Sequence, residues 1–151
     1  MVKTKITSIS EKIFNASKNG NKEELIELLK TKNIKKYFNY KDKITKNSAL
    51  HIAIINGYNE CVKLLILSGF NVNVLNNDHL TPLHISIKVN NQECLRLLLI
   101  NGANINKITK TTGSTPLHFA CKLGNMKIIS LLLDYGADTN ILNSNHLLPI
   151  R

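Results

Sequence analysis

The sequence predicts an all-α solenoid of stacked helix-turn-helix units, and three observations carry that prediction. First, a tetrapeptide recurs as Ser48-Ala49-Leu50-His51, Thr81-Pro82-Leu83-His84 and Thr115-Pro116-Leu117-His118, at offsets of 33 (81 − 48) and 34 (115 − 81) residues. Second, each copy is followed downstream by a leucine-rich run that closes on Gly and Asn: Leu64 to Asn73, Leu97 to Asn106 and Leu131 to Asn140. Third, the apolar residues between these signatures fall at helical spacing, as in Leu83, Ile85 and Ile87 and again in Cys94, Leu95, Leu97, Leu98 and Leu99. Self-similarity at this period marks a stack of units, none of which can bury its apolar face alone.

The 151 residues form one domain, and its elements read in order. Residues 8–46 are a degenerate N-terminal capping unit: Ile13 to Leu29 keep the helix-turn-helix outline without the tetrapeptide head. From Gly20 to Gly57 is 37 residues (57 − 20), so this unit carries a longer, basic loop between Lys30 and Asn47. Residues 47–79, 80–113 and 114–146 are full units. In each, Ser48, Thr81 or Thr115 is placed to cap the first helix, and Pro82 and Pro116 enter at its first turn, where no hydrogen bond is forfeited. Gly57 and Gly124 sit at the turn between the helices. Asn90 takes that place in the middle unit, as the commonest substitute for Gly at positive φ. Gly69, Gly102 and Gly136 follow the second helix, where a left-handed residue closes the last turn. Residues 147–151 restart the unit, with Pro149 falling 33 residues after Pro116 (149 − 116). The helices expected to follow and cover the third full unit are not in the sequence, which leaves two expectations: a longer array, or an edge covered by a partner.

These residues resemble the ankyrin repeat family over roughly residues 8 to 150. The resemblance implies a unit made of a β-hairpin-like loop, a short helix, a tight turn and a second helix. It implies structural roles for His51, His84 and His118, whose imidazoles bridge adjacent turns. It further implies a recognition surface of hairpin tips and the outer ends of the first helices: Asn77, Asp78 and Leu80; Thr111, Thr112 and Ser114; and the pairs Ile55-Asn56, Lys88-Val89 and Lys122-Leu123. Ile55, Val89 and Leu123 share one register and are expected to form an apolar ladder on the concave face, flanked by Lys88 and Lys122. For Leu123, packing of the helix-helix turn is an equal alternative.

Composition bounds the remaining classes. Apolar residues make up 43% of the chain, enough for a continuous core, while aromatics are only 5% and Trp is absent. No apolar run is long enough to span a membrane, and the N-terminus lacks the apolar stretch of a secretion signal. Three cysteines without tight pairing point to a reducing compartment, and the expected location is the cytoplasm. Cys61 and Cys94 share a register position with Ile128, which makes them core residues rather than metal or redox groups. His79 and His146 lie two positions before the helix-capping site and are expected in exposed loops.

The net charge is +10, and residues 1 to 46 carry +7 of it, twelve Lys against five acids. Seven of those lysines lie between Lys30 and Lys46, with Tyr37, Phe38 and Tyr40 among them. A loop of that kind is suited to nucleic acid phosphate or an anionic membrane. The competing reading is a solvated face, favoured by a Lys to Arg ratio of 18 to 2, since phosphate forks select Arg. The same bias, with abundant Asn and Ile, suits an AT-rich genome, such as that of an intracellular pathogen or a large DNA virus.

No nucleotide loop, zincin motif or nucleophile elbow is present, and no nucleophile is paired with a base. The sequence is therefore read as a non-enzymatic protein-protein interaction module, a scaffold or competitive inhibitor. No metal, cofactor or small-molecule substrate is expected, the partner is a protein with an acidic segment, and the chain is a monomer unless its C-terminal edge self-associates. A pathogen protein acting on a host factor, in host cytoplasm or nucleus, is the specific form of this reading. The alternatives are an adaptor to nucleic acid or anionic membrane through loop 30–46, and the targeting domain of a larger enzyme.

Overall fold

Eight short helices form four pairs in a computed structural model that describes residues 8–150. The N-terminal segment read for a secretion signal and Arg151 of the restarted unit lie outside the described residues. The pairs are α1 (Ile9–Asn19) with α2 (Lys22–Leu29), α3 (Ala49–Ile55) with α4 (Asn59–Leu67), α5 (Pro82–Lys88) with α6 (Gln92–Ile100), and α7 (Pro116–Leu123) with α8 (Met126–Asp134). Within each pair the second helix packs back on the first. Between pairs, α1, α3, α5 and α7 pack in a row, and α2, α4 and α6 form a second row beside them. Among the described residues there is no strand and no helix long and apolar enough to cross a membrane.

Such short helices, of about ten residues, do not hold in water alone. Each buries one face between the rows, and the result is a single core that runs from Ile13 through Leu50, Leu83 and Leu117 on the first helices and Leu25, Leu65, Leu98 and Leu132 on the second. Cys61, Cys94 and Ile128 occupy this core at equivalent places, as their shared register predicts. Burial pushes the Cys94 thiol up to about 12, reinforced by Glu93, and raises those of Cys61 and Cys121.

Local signals set the helix ends. Ser48, Thr81 and Thr115 each accept a hydrogen bond from the backbone amide of the histidine three residues on. Pro82 and Pro116 begin α5 and α7. The turns between helices carry positive φ at Gly20, Gly57, Asn90 and Gly124. Asn21, Asn91 and Asn125 then cap the second helices. Tyr58 takes that place in the second pair and makes no capping bond. Its ring instead lies over Gly20, where an added Cβ would come within 2.6 Å of it.

This contact gives a test of the stacking between the first two pairs. Gly20→Ala is expected to cost about 2–3 kcal/mol, from the left-handed backbone and the displaced Tyr58 ring together. Gly57→Ala, with φ of 75° but open space around it, should cost only about 1 kcal/mol. Urea unfolding of both variants measures the difference, and equal losses would mean that Tyr58 does not rest on Gly20.

The loop between Leu29 and Ala49 folds back on the array, with a 3-10 turn at Ile34–Tyr37. Its aromatic residues are spent on packing: Phe38 stacks on Phe70 at 3.9 Å between ring centroids, and Tyr40 meets Phe14 edge-on at 5.6 Å. Lys41 donates to the Leu75 carbonyl at 2.7 Å and Lys30 pairs with Glu27 at 2.8 Å. Lys22 of α2 reaches across to Glu60 of α4, at 3.6 Å.

Candidate partner-binding groove

Four hairpins, each just before a first helix or at the end of the described chain, are built around one polar side chain that folds back on the backbone. Asn76 accepts from the amides of Asp78 and Leu80, and Asn143 from those of Asn145 and Leu147. Asp42 accepts from the amides of Ile44, Thr45 and Asn47 and from the Thr45 hydroxyl. Partial burial alone would raise the Asp42 carboxyl, but those hydrogen bonds win and hold it below the usual range. Thr109 plays the same part in the third hairpin, accepting from the Ser114 amide. Such side-chain turns explain why these positions are Asn, Asp or Thr. The residue before the last in each hairpin has positive φ: Lys46, His79, Gly113 and His146.

Histidines tie the hairpin layers together, His51 and His118 by full hydrogen bonds. Nδ1 of His51 accepts from the Ser48 amide at 3.2 Å and lies 2.9 Å from its hydroxyl, while Nε2 lies 3.0 Å from the Leu80 carbonyl. A carbonyl can only accept, so the ring is the neutral tautomer with its proton on Nε2. His118 repeats this arrangement with Thr115 and the Leu147 carbonyl, at 3.0 Å. His84 keeps the Thr81 half; its buried Nε2 makes no hydrogen bond of good geometry, although the Lys107 and Ser114 carbonyls lie close enough to oppose the loss of basicity. His51 and His118 thus reach the next hairpin by full hydrogen bonds, and His84 makes a looser contact with the third hairpin. Burial depresses the basicity of His51 and His84 to about 4 in each case. For His51 the Leu80 carbonyl works against this and Lys41 with it.

The sequence-selected surface residues fall into three groups. Asn77, Asp78, Leu80, Lys88, Thr111 and Thr112 line one cavity of about 340 Å³ between the second and third hairpins. Thr112, Ser114 and Lys122 line a neighbouring one of about 760 Å³. Phe119 and Thr112 border both, so the two form a continuous groove along α5, α7 and the hairpins. Ile55, Val89 and Leu123 are equally half-exposed, at 39%, 41% and 47%, but line neither cavity. Leu123 borders a depression at the helix turn with Gly124 and Met126, the alternative already open for it. Asn56 is committed to the Lys18 carbonyl at 2.9 Å.

Leu80 reaches the first cavity although most of its side chain is buried, and its carbonyl is what His51 binds. Phe119 is the groove residue that sequence reasoning missed. It follows the histidine in Thr115-Pro116-Leu117-His118-Phe119, where the other units have Ile52 and Ile85. A ring in place of Ile was the available signal. Its centroid is 5.1 Å from that of His84. Charge around the groove is positive: Lys88, Lys110 and Lys122 are exposed, against Asp78. Among the described residues no His, Cys, Asp and Glu gather in a group that would hold a metal ion.

A family model for ankyrin repeats in three copies matches residues 13–109, and a single ankyrin repeat model matches residues 112–144. No curated protein matches the chain.

Proposed function

The chain belongs to the ankyrin repeat family and is thereby a protein-protein interaction module; from that premise we propose that its partner is held in the groove along α5, α7 and the hairpin tips. The observation that carries this reading is the convergence of Asp78, Lys88, Thr111, Thr112 and Lys122 around the half-buried Phe119. An apolar ring ringed by hydroxyls and lysines is the composition of an interface centre with a polar rim. The lysines select a protein segment rich in Asp or Glu. Ile55, Val89 and Leu123, half-exposed at the ends of the first helices, line neither cavity and are left outside the groove. A scaffold or competitive inhibitor acting without catalysis in a reducing cytoplasm, on a host factor if the source is a virus or an intracellular pathogen, is the biological form we propose.

Loop 30–46 supports the alternative poorly. Stacking on nucleic acid bases needs free aromatic faces, and Phe38 and Tyr40 spend theirs on Phe70 and Phe14. The test compares capture from a cytosolic extract by the parent chain and by Lys88→Glu/Lys122→Glu. Both substitutions are on exposed positions, so thermal melting should be unchanged while capture falls at least about tenfold. Full capture by the folded double variant would remove the groove assignment. Loss of capture on neutralising Lys32, Lys35 and Lys36 instead would return the function to the basic loop.

A further inference from the structure

The hairpins alternate in length, and the alternation breaks the array at one seam. The first and third close from Asp42 to Asn47 and from Thr109 to Ser114, and the second and fourth, one residue shorter, from Asn76 to Leu80 and from Asn143 to Leu147. Where a short hairpin follows a long one, the tips are joined: the Asn77 amide donates to the Thr45 carbonyl and the Ser144 amide to the Thr112 carbonyl, both at 2.8 Å. Where the long third hairpin follows the short second, no hydrogen bond joins them among the described residues. Aligned on the positive-φ residues, the equivalent missing bond runs from the Thr111 amide to the Asp78 carbonyl. His84 sits at the same seam: the Lys107 and Ser114 carbonyls of the third hairpin face its ring, but its Nε2 lacks the full hydrogen bond that His51 and His118 make to Leu80 and Leu147. The inserted residue accounts for the missing tip bond and for the cavity between the two tips.

We propose that this seam is the seat of one extended segment of an acidic protein partner, which replaces the missing tip bond with its own backbone. The inference rests on the groove reading above and adds a mode of binding to it. The segment's N–H donates to the Asp78 carbonyl and its C=O accepts from the Thr111 amide, a short form of strand addition. An apolar side chain of the segment meets Phe119, and its carboxylates meet Lys88, Lys110 and Lys122. The other hairpin junctions do not offer this, because their tips are already bonded to each other.

The probe is a synthetic peptide of alternating Asp and Leu, with a Lys-Leu peptide as its charge-reversed control. The parent chain should bind the Asp-Leu peptide in a salt-sensitive manner and ignore the control. Deleting Thr111 removes the donor amide that the segment uses and shortens the third hairpin, which should weaken peptide binding at least about tenfold. Amide exchange at Thr111 in the parent should slow when the peptide is added, a readout that stands even if the deletion variant does not fold. Equal binding by a folded deletion variant, no binding by the parent, or unchanged exchange at Thr111 would each overturn the proposal. So would a concentration-dependent dimer that the deletion abolishes, which would make a second copy the occupant. If the deletion variant binds fully while Lys88→Glu/Lys122→Glu does not, the seam is wrong and the groove stands; if both bind fully, the groove reading falls as well.

Discussion

Lowering the pH from 7 to 4 is expected to unfold the array, with His51 and His84 driving the loss. Both are buried, and burial brings each from its ordinary 6.5 to about 4 in the folded chain. Between those values the unfolded chain binds protons that the native chain refuses. The stability contributed is therefore complete above about pH 6.5 and is withdrawn as the pH falls toward 4. Each histidine removes up to about 1.4 kcal/mol per pH unit, and the two together up to about 7 kcal/mol over the whole window. That is comparable with the total stability of a domain of this size, about 5–15 kcal/mol. Urea midpoints from circular dichroism at a series of pH values read the effect directly. A midpoint that holds steady from pH 7 to 4 would mean that the two imidazoles are not buried as neutral groups.

The second large effect separates the histidines from one another. His51→Ala leaves the Ser48 amide without a partner and the Leu80 carbonyl with the Asn76 amide alone, and opens a cavity, at a cost of about 3–4 kcal/mol. His84→Ala removes a ring that is equally buried but lacks a full hydrogen bond from Nε2 to the third hairpin, so it should cost about 1 kcal/mol less. The ordering matters more than the totals, because only a long third hairpin predicts it. Equal losses in chemical denaturation would indicate that His84 bonds to the third hairpin after all.

What the sequence disclosed and what it concealed follow one physical division. Helix caps at Ser48, Thr81 and Thr115, and the left-handed turns at Gly57 and Gly124, depend on a few neighbouring residues and are legible at sight. The extra residue in the third hairpin is also visible, as an offset of 34 against 33. Its consequence is not, because a tip bond depends on the lengths of two hairpins from different units. Leu80 illustrates a further limit: its register is a surface position, but the side chain turns into the core. The loop aromatics Phe38 and Tyr40 looked available for stacking only because their partners lie far away in the chain, Phe70 in the next unit and Phe14 on the first helix of their own. Phe119 was overlooked since its signal is one of size, a ring where Ile is the rule, and not of chemistry.

The central claim is that partners are gripped on the hairpin side of the first helices and not on the second row. A photoreactive phenylalanine analogue placed at Phe119, and separately at Leu67, an exposed position of α4 at 71%, tests it most directly. Irradiated in cytosolic extract, the Phe119 probe should form a discrete adduct that excess unlabelled parent chain suppresses, and the Leu67 probe should form none. An adduct of that kind from Leu67 and none from Phe119 would place the binding surface on the opposite face and contradict the account.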